Sequence, residues 1–283
     1  MREWGNRRQE SPIAKFDAAV VLTVDAEEWF HVPGRKEYAD PALWDRLPAT
    51  FPRALDRTLE LLEKGGWKAT FFVLGWLADR YPAEVRSIAD SGHEVACHGQ
   101  EHLLVSTMTP QQFQADISRA KATLEDAAGH SVKGFRAPRW SMPRALWPYE
   151  VLASEGFAYS SSRLCIPGLG RGTPWSETLV GIREFPALSA GRGWTAWPAG
   201  GTVALRVASL RRMERARDCA LADGRPAVYW FHPWELLDDA PRVGGSPLFR
   251  WSRYARLDRL PERLRCLVLP GDRTFRMGSH LAI

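Results

Sequence analysis

Three short polar clusters hold most of the side chains in this chain that could do hydrolytic chemistry. They are Thr23-Val24-Asp25-Ala26-Glu27-Glu28, His98-Gly99-Gln100-Glu101-His102 and Tyr229-Trp230-Phe231-His232-Pro233-Trp234. The first closes an apolar run, Ala18 to Val24. Acids at the end of a buried strand need a partner or a cation. On an extended chain Asp25 and Glu27 project to one side and Glu28 to the other. Two carboxylates in one pocket repel, and a cation beside them relieves the repulsion. The expected division of labour is one metal ligand and one general base. The competing reading makes these acids caps for the next helix.

His98 and His102 are spaced i, i+4, which predicts both imidazoles on one face of a helical turn, within reach of one metal. With Glu27 they make two nitrogens and one oxygen, the open ligand set of a catalytic ion. Arg136, in Arg136-Ala137-Pro138-Arg139-Trp140, follows another strand and could hold a carboxylate by a paired contact. His232 ends a late strand and could serve as a general acid, or sit in the core donating to a carbonyl. Four of the thirteen tryptophans, Trp29, Trp140, Trp230 and Trp234, lie near these clusters. Flat aromatic faces suit sugar rings, and they equally fill cores.

The elements that must carry these groups alternate. Unbroken apolar runs predict strands at Val20 to Val24, Lys68 to Leu74, His93 to Cys97, Val132 to Phe135, Gly156 to Ser160 and Ala227 to Phe231. Helical spacing covers Ala49 to Lys64, Leu77 to Ser91, Thr109 to Ala128, Pro143 to Glu155, Ala204 to Leu221 and, for the most part, Leu248 to Arg265. Gly65-Gly66 closes the first helix, and Thr109-Pro110 caps the third. Residues 161–200 read as loop. Alternation predicts a parallel α/β sheet, and each cluster falls at the C-terminal end of a strand, the face that carries chemistry in α/β barrels.

Composition narrows the classes. With 283 residues, 45% apolar and 25% charged, the chain can build a sizeable core. A net charge of +5, from 38 basic and 33 acidic residues, is too mild for a nucleic-acid stripe. Cys97, Cys165, Cys219 and Cys266 show no close pairing and read as reduced thiols. Met1 to Lys15 has arginines but no apolar segment, so a cytoplasmic location is expected, with peripheral membrane contact left open. No run is long enough to span a bilayer.

The clusters together resemble the NodB-homology polysaccharide deacetylases, carbohydrate esterase family 4. The similarity is greatest to the exopolysaccharide-locus branch that has a C-terminal extension. The residues that carry it are Thr23 to Phe30; Ala69-Thr70-Phe71-Phe72-Val73-Leu74-Gly75; Gly92 to Gly99 with His102; Gly134-Phe135-Arg136-Ala137-Pro138; Glu184-Phe185-Pro186; and Phe231 to Glu235. The resemblance implies a distorted (β/α)7 barrel and one divalent metal, usually zinc. It implies Asp25 as base, Arg136 steadying it, His98 and His102 as ligands and His232 as acid. A backbone N–H near Arg139 is the implied donor to the oxyanion. Many members have adjacent aspartates as base and ligand; here Ala26 follows Asp25, so the ligand shifts to Glu27 or Glu28, and alternation favours Glu27.

The expected organisation is a single barrel domain over 1–283. Its core covers about 18–160 and 225–235, and a family-specific extension covers about 161–283. Trp140, Arg139, Trp230, Trp234 and Glu28 are the expected substrate contacts. The expected reaction removes N-acetyl groups from amino sugars of a polysaccharide or glycan precursor. Hydrolysis of a cyclic amide or ureide on the same fold is the alternative, and a glycan-binding relative without activity is a third reading.

Overall fold

The computed structural model describes residues 19–32, 35–164, 178–191, 196–269, 272 and 274–281. The N-terminal stretch through Ala18 and Cys165 lie outside them. Ten strands are described: β1 (Val20–Ala26), β2 (Ala69–Val73), β3 (Glu94–Cys97), β4 (Gly134–Phe135), β5 (Tyr159–Ser160), β6 (Thr178–Leu179), β7 (Ile182–Glu184), β8 (Ser189–Ala190), β9 (Trp197–Pro198) and β10 (Ala227–Phe231). Eight form one sheet in the order β10-β1-β2-β3-β4-β5-β7-β6. All pairings from β10 to β7 are parallel, and only β6 runs antiparallel. Seven parallel strands curl into a half-barrel, as a distorted (β/α)7 fold requires.

The gap between β7 and β10 is bridged by backbone. Leu188 N donates to Val228 O at 3.0 Å, and Trp230 N donates to Gly200 O at 2.9 Å. Gly200 has no alternative there, because a Cβ would lie 2.2 Å from Val228 O. The β8–β9 hairpin that supplies these contacts lies in the stretch expected to be loop. Strands two residues long give too little periodicity to read from sequence.

Nine helices surround the sheet among the described residues: α1 (Phe51–Gly65), α2 (Gly75–Arg80), α3 (Pro82–Asp90), α4 (Pro110–Ala128), α5 (Trp147–Ser154), α6 (Thr202–Val207), α7 (Leu210–Ala222), α8 (Pro247–Tyr254) and α9 (Leu260–Leu267). Three expected helices are each two. Tyr81, with ψ at 57°, leaves the helical region before Pro82, as residues preceding proline do. Ser209 caps α7, its hydroxyl accepting from Arg212 N. Arg256, at φ 54°, separates α8 from α9. Thr109 caps α4 in a reciprocal box with Gln112.

The core lies between β1–β3 and the inner faces of α1, α3 and α4, with Leu22, Val24, Phe71, Val73, Leu62, Ile88 and Phe113 all buried. Among the described residues no helix is long and apolar enough to cross a membrane. Cys97, Cys219 and Cys266 are free thiols.

Candidate active site

β1 ends at Ala26, so its last side chains emerge at the rim where β10, β2, β3 and β4 also end. Asp25 is buried and accepts from Arg136 Nη1 at 2.6 Å. Arg136 enters from the end of β4 and is fully buried. Its remaining donors reach Thr23 Oγ1 (2.8 Å), Ser161 O (3.0 Å) and Ser161 Oγ (2.8 Å). Its guanidinium lies over Phe72 at 4.1 Å and Trp140 at 4.7 Å. A guanidinium fixed on every side presents one geometry to Asp25.

Glu27 sits between two imidazoles. Its Oε1 lies 3.1 Å from His98 Nε2 and 2.8 Å from His102 Nε2. Burial opposes the Glu27 charge, but His102 and His98 outweigh it and hold the carboxyl well below its ordinary range. One ligand atom from each of the three lies within 4.8 Å of the other two, and all three residues are buried.

The donor set fits a divalent cation. His98 Nδ1 lies 2.8 Å from Arg136 O, which can only accept, so Nδ1 carries the proton. In the neutral ring Nε2 therefore turns a lone pair toward Glu27. His102 Nε2 is buried with no hydrogen-bond partner despite its 2.8 Å approach to Glu27. Lone pairs converging in a buried space call for a positive ion. A carbonyl oxygen behind a ligating imidazole is also the usual orienting partner at metal sites.

The two histidines do not meet on a helical turn, as their spacing predicted. Residues 98–104 form a loop, with Gly99 at φ 80° and His102 at φ 57°. A positive φ at a histidine is strained, and strain of this kind gathers at functional sites. The loop is clamped from outside: Gly75 N donates to Gly99 O, Trp76 N to Gln100 O, and Gln100 N to Asp116 Oδ2.

Glu28 is a correction. Expected at the substrate, it is buried under α1, accepting from Thr50 N (2.7 Å), Thr50 Oγ1 (2.6 Å) and Phe51 N (2.8 Å). It caps that helix, as the competing reading of the acids had it. Glu28→Ala should destabilise the fold by about 2 kcal/mol, a lost cap with buried donors left unpaired. The urea midpoint measures this, and no change in it would refute the capping role.

Trp234 is also corrected. It is 1% exposed, stacked between His232 (5.7 Å, 21°) and the Arg253 guanidinium (4.2 Å), so no sugar can reach it. Trp29, also buried, packs at the edge of Phe30 and Tyr38. Trp140 and Trp230 are half-buried neighbours 5.5 Å apart beside Arg136. Arg139 is exposed, and it and Trp140 are consecutive residues with positive φ, 51° and 58°. That turn puts the Trp140 ring over Arg136.

His232 follows β10 at the same rim. Its Nδ1 lies 3.3 Å from Glu235 Oε2, an ion-pair approach not aligned well enough for a hydrogen bond. Burial disfavours its charge, but Glu235, and behind it Glu27 and Asp25, outweigh burial and raise its pKa above the ordinary imidazole value.

Several residues escaped the sequence reading. His31 is buried with its ring 5.8 Å from that of His102, and its Nδ1 accepts from Glu28 N. Burial keeps it well below the ordinary imidazole pKa. Thr23 and Ser161 hold Arg136. Glu184 accepts from Ser162 N and Arg163 N. Thr23, Glu184 and Glu235 stand in motifs visible in the sequence, though without a role assigned there, and Glu235 also shows the three-residue spacing of a capping box after His232.

A parallel half-barrel with a buried imidazole–carboxylate cluster beside a second, arginine-held carboxylate at its strand ends has the layout of an enzyme site on an α/β barrel. Comparison with known proteins narrows this class. Residues 42–157 match the family model described as Polysaccharide deacetylase, and residues 157–281 match that described as Domain of unknown function (DUF3473). The chain thus carries a polysaccharide deacetylase domain of the NodB type, with the second family's segment joined to it.

It is 28% identical over 162 residues to the peptidoglycan deacetylase-like protein FGM2 of Gibberella zeae, covering 56% of this chain and 47% of that one. It is 30% identical over 108 residues to a peptidoglycan deacetylase of Helicobacter pylori, covering 38% and 36%. The chain thus spans half or less of the length of these relatives. The crystal structure of a putative polysaccharide deacetylase from Mycobacterium smegmatis shares the fold, with a TM-score of 0.61, 23% identity, and coverage of 94% and 90%.

Proposed function

We propose that this chain is a zinc-dependent deacetylase that hydrolyses N-acetyl groups on the amino sugars of a polysaccharide or glycan precursor. The observation that carries the reading is the convergence of Glu27, His98 and His102 beside an Asp25 held by Arg136. Family membership and the names of the relatives support an acetylated glycan as substrate. The resemblance to the branch with a C-terminal extension supports exopolysaccharide as its setting. Barrel and extension work as one catalytic unit, because the extension delivers His232.

Glu27, His98 and His102 hold the ion, and a two-nitrogen, one-oxygen set suits zinc. Bound there, the ion supplies Lewis-acid activation of water and of the acyl oxygen. Asp25, held by Arg136 through one oxygen, takes a proton from the attacking water at its other carboxylate oxygen. His232 gives a proton to the amide nitrogen as the C–N bond breaks and its electron pair moves to nitrogen. Acetate and a free amino sugar result. The Trp140 and Trp230 faces pack on the sugar ring and shield the site from bulk solvent.

The test is acetate release by the zinc-loaded protein from an N-acetylglucosamine oligomer, beside ring opening of a cyclic ureide. Acetate from the first alone is the expected result. Ring opening without acetate would transfer the site to cyclic C–N bonds, and inertness to both would overturn the reading.

A further inference from the structure

The segment that matches the domain of unknown function contains a buried ion pair for which stability gives no reason. Arg206, on α6, and Glu235, in the 3-10 turn after β10, have side chains 1% and 2% exposed and approach to 3.5 Å. Arg206 is pinned by backbone: Nε donates to Thr202 O (3.1 Å), Nη1 to Ala255 O (2.6 Å) and Nη2 to Ser252 O (2.8 Å). A buried pair of this kind is on balance no more stabilising than apolar side chains of equal volume. Its placement, directly behind His232, suggests another purpose.

We propose that the Arg206–Glu235 pair positions His232 as the proton donor, and that bracing this donor is a function of the C-terminal segment. The inference rests on the deacetylase reading. Glu235 divides its oxygens: Oε1 faces Arg206, while Oε2 accepts from His232 N at 3.0 Å and lies 3.3 Å from His232 Nδ1. Nδ1 thereby lies at ion-pair distance from a carboxylate, and Nε2 is the nitrogen left to donate. When the Nε2 proton moves to the departing amine, the neutral ring keeps its Nδ1 proton facing Glu235.

The ring has no freedom to turn away, because Trp234 stacks on it at 5.7 Å and Trp230 meets it edge-on at 5.5 Å. Of the charged groups around it, Asp25 is engaged by Arg136, and Glu27 faces His98 and His102. Arg253 lies against Trp234, its Nη2 donating to Trp29 O. Glu235 is the carboxylate that remains for His232. Arg206 fixes it in place, and through Ser252 and Ala255 the end of α8 fixes Arg206.

The experiment compares zinc-loaded wild type, His232→Ala, Glu235→Gln and the double variant Glu235→Gln/Arg206→Gln. The double variant removes both buried charges together and guards against a folding defect in the single one. Expected are wild-type zinc content, kcat lower by roughly 10²-fold, and KM changed by less than about twofold. The alkaline limb of the kcat/KM profile moves to lower pH. The His232 imidazole titration, followed by NMR, moves down by about one unit.

Loss of activity in His232→Ala, with kcat and the His232 titration unchanged in both Glu235 variants, overturns this inference and leaves the deacetylase reading standing. Full activity in His232→Ala overturns both the role of His232 and its bracing. If wild type is inert toward the oligomer, the reading fails, and the NMR titration alone decides whether Glu235 governs His232.

Discussion

Asp25→Asn is expected to lower kcat by roughly 10³-fold, within the range a positioned base contributes, with zinc content unchanged. Asparagine keeps the shape and an oxygen that can accept from Arg136 Nη1, but it cannot take a proton from water. Arg136 would lose the counter-charge 2.6 Å away while staying fully buried. Stranding a buried charge costs about 3 kcal/mol. Its contacts with Thr23 and Ser161 persist, so the variant should stay folded with a lower urea midpoint. Turnover measured beside zinc stoichiometry checks this. Were kcat to stay within about tenfold of wild type, Asp25 would not be the base.

Stripping the ion should have an effect at least as large. A chelated sample is expected to lose activity below detection and to regain it on addition of zinc, whereas His98→Ala should not regain it. Linkage adds a physical readout: an ion at about a thousandfold excess over its Kd stabilises the folded state by about 4 kcal/mol. The melting temperature should therefore rise with zinc in wild type and stay flat in His98→Ala. An unchanged melting temperature and turnover after chelation would remove the basis of the mechanism.

The parallel sheet was legible because its strands are unbroken apolar runs and its helices begin and end on caps and glycines. The assignment of Asp25 and Glu27 to one side, and Glu28 to the other, was legible because a strand alternates strictly. In the structure Glu28 lies beneath α1 and Glu27 lies between the imidazoles. The route by which His102 reaches Glu27 was not legible. An i, i+4 spacing fits a helix and a strained loop equally, and only the clamps from α2 and α4 decide between them. Trp234 was misread because composition places a tryptophan near a site without telling which side of it is covered. The helix breaks at Tyr81, Ser209 and Arg256 lay within continuous apolar spacing and depend on single backbone conformations.

The pairing of β1 with β10 has a consequence for how the molecule is made. Thr23 and Tyr229, hydrogen-bonded across it, stand 206 residues apart. A ribosome releases the acid-bearing strand long before its neighbour exists, so during synthesis one edge of a largely apolar strand lies unpaired. Closing so distant a pair is slow. The nascent chain should therefore depend on holdase chaperones over that interval, and the candidate site lacks His232 until the late strand has docked.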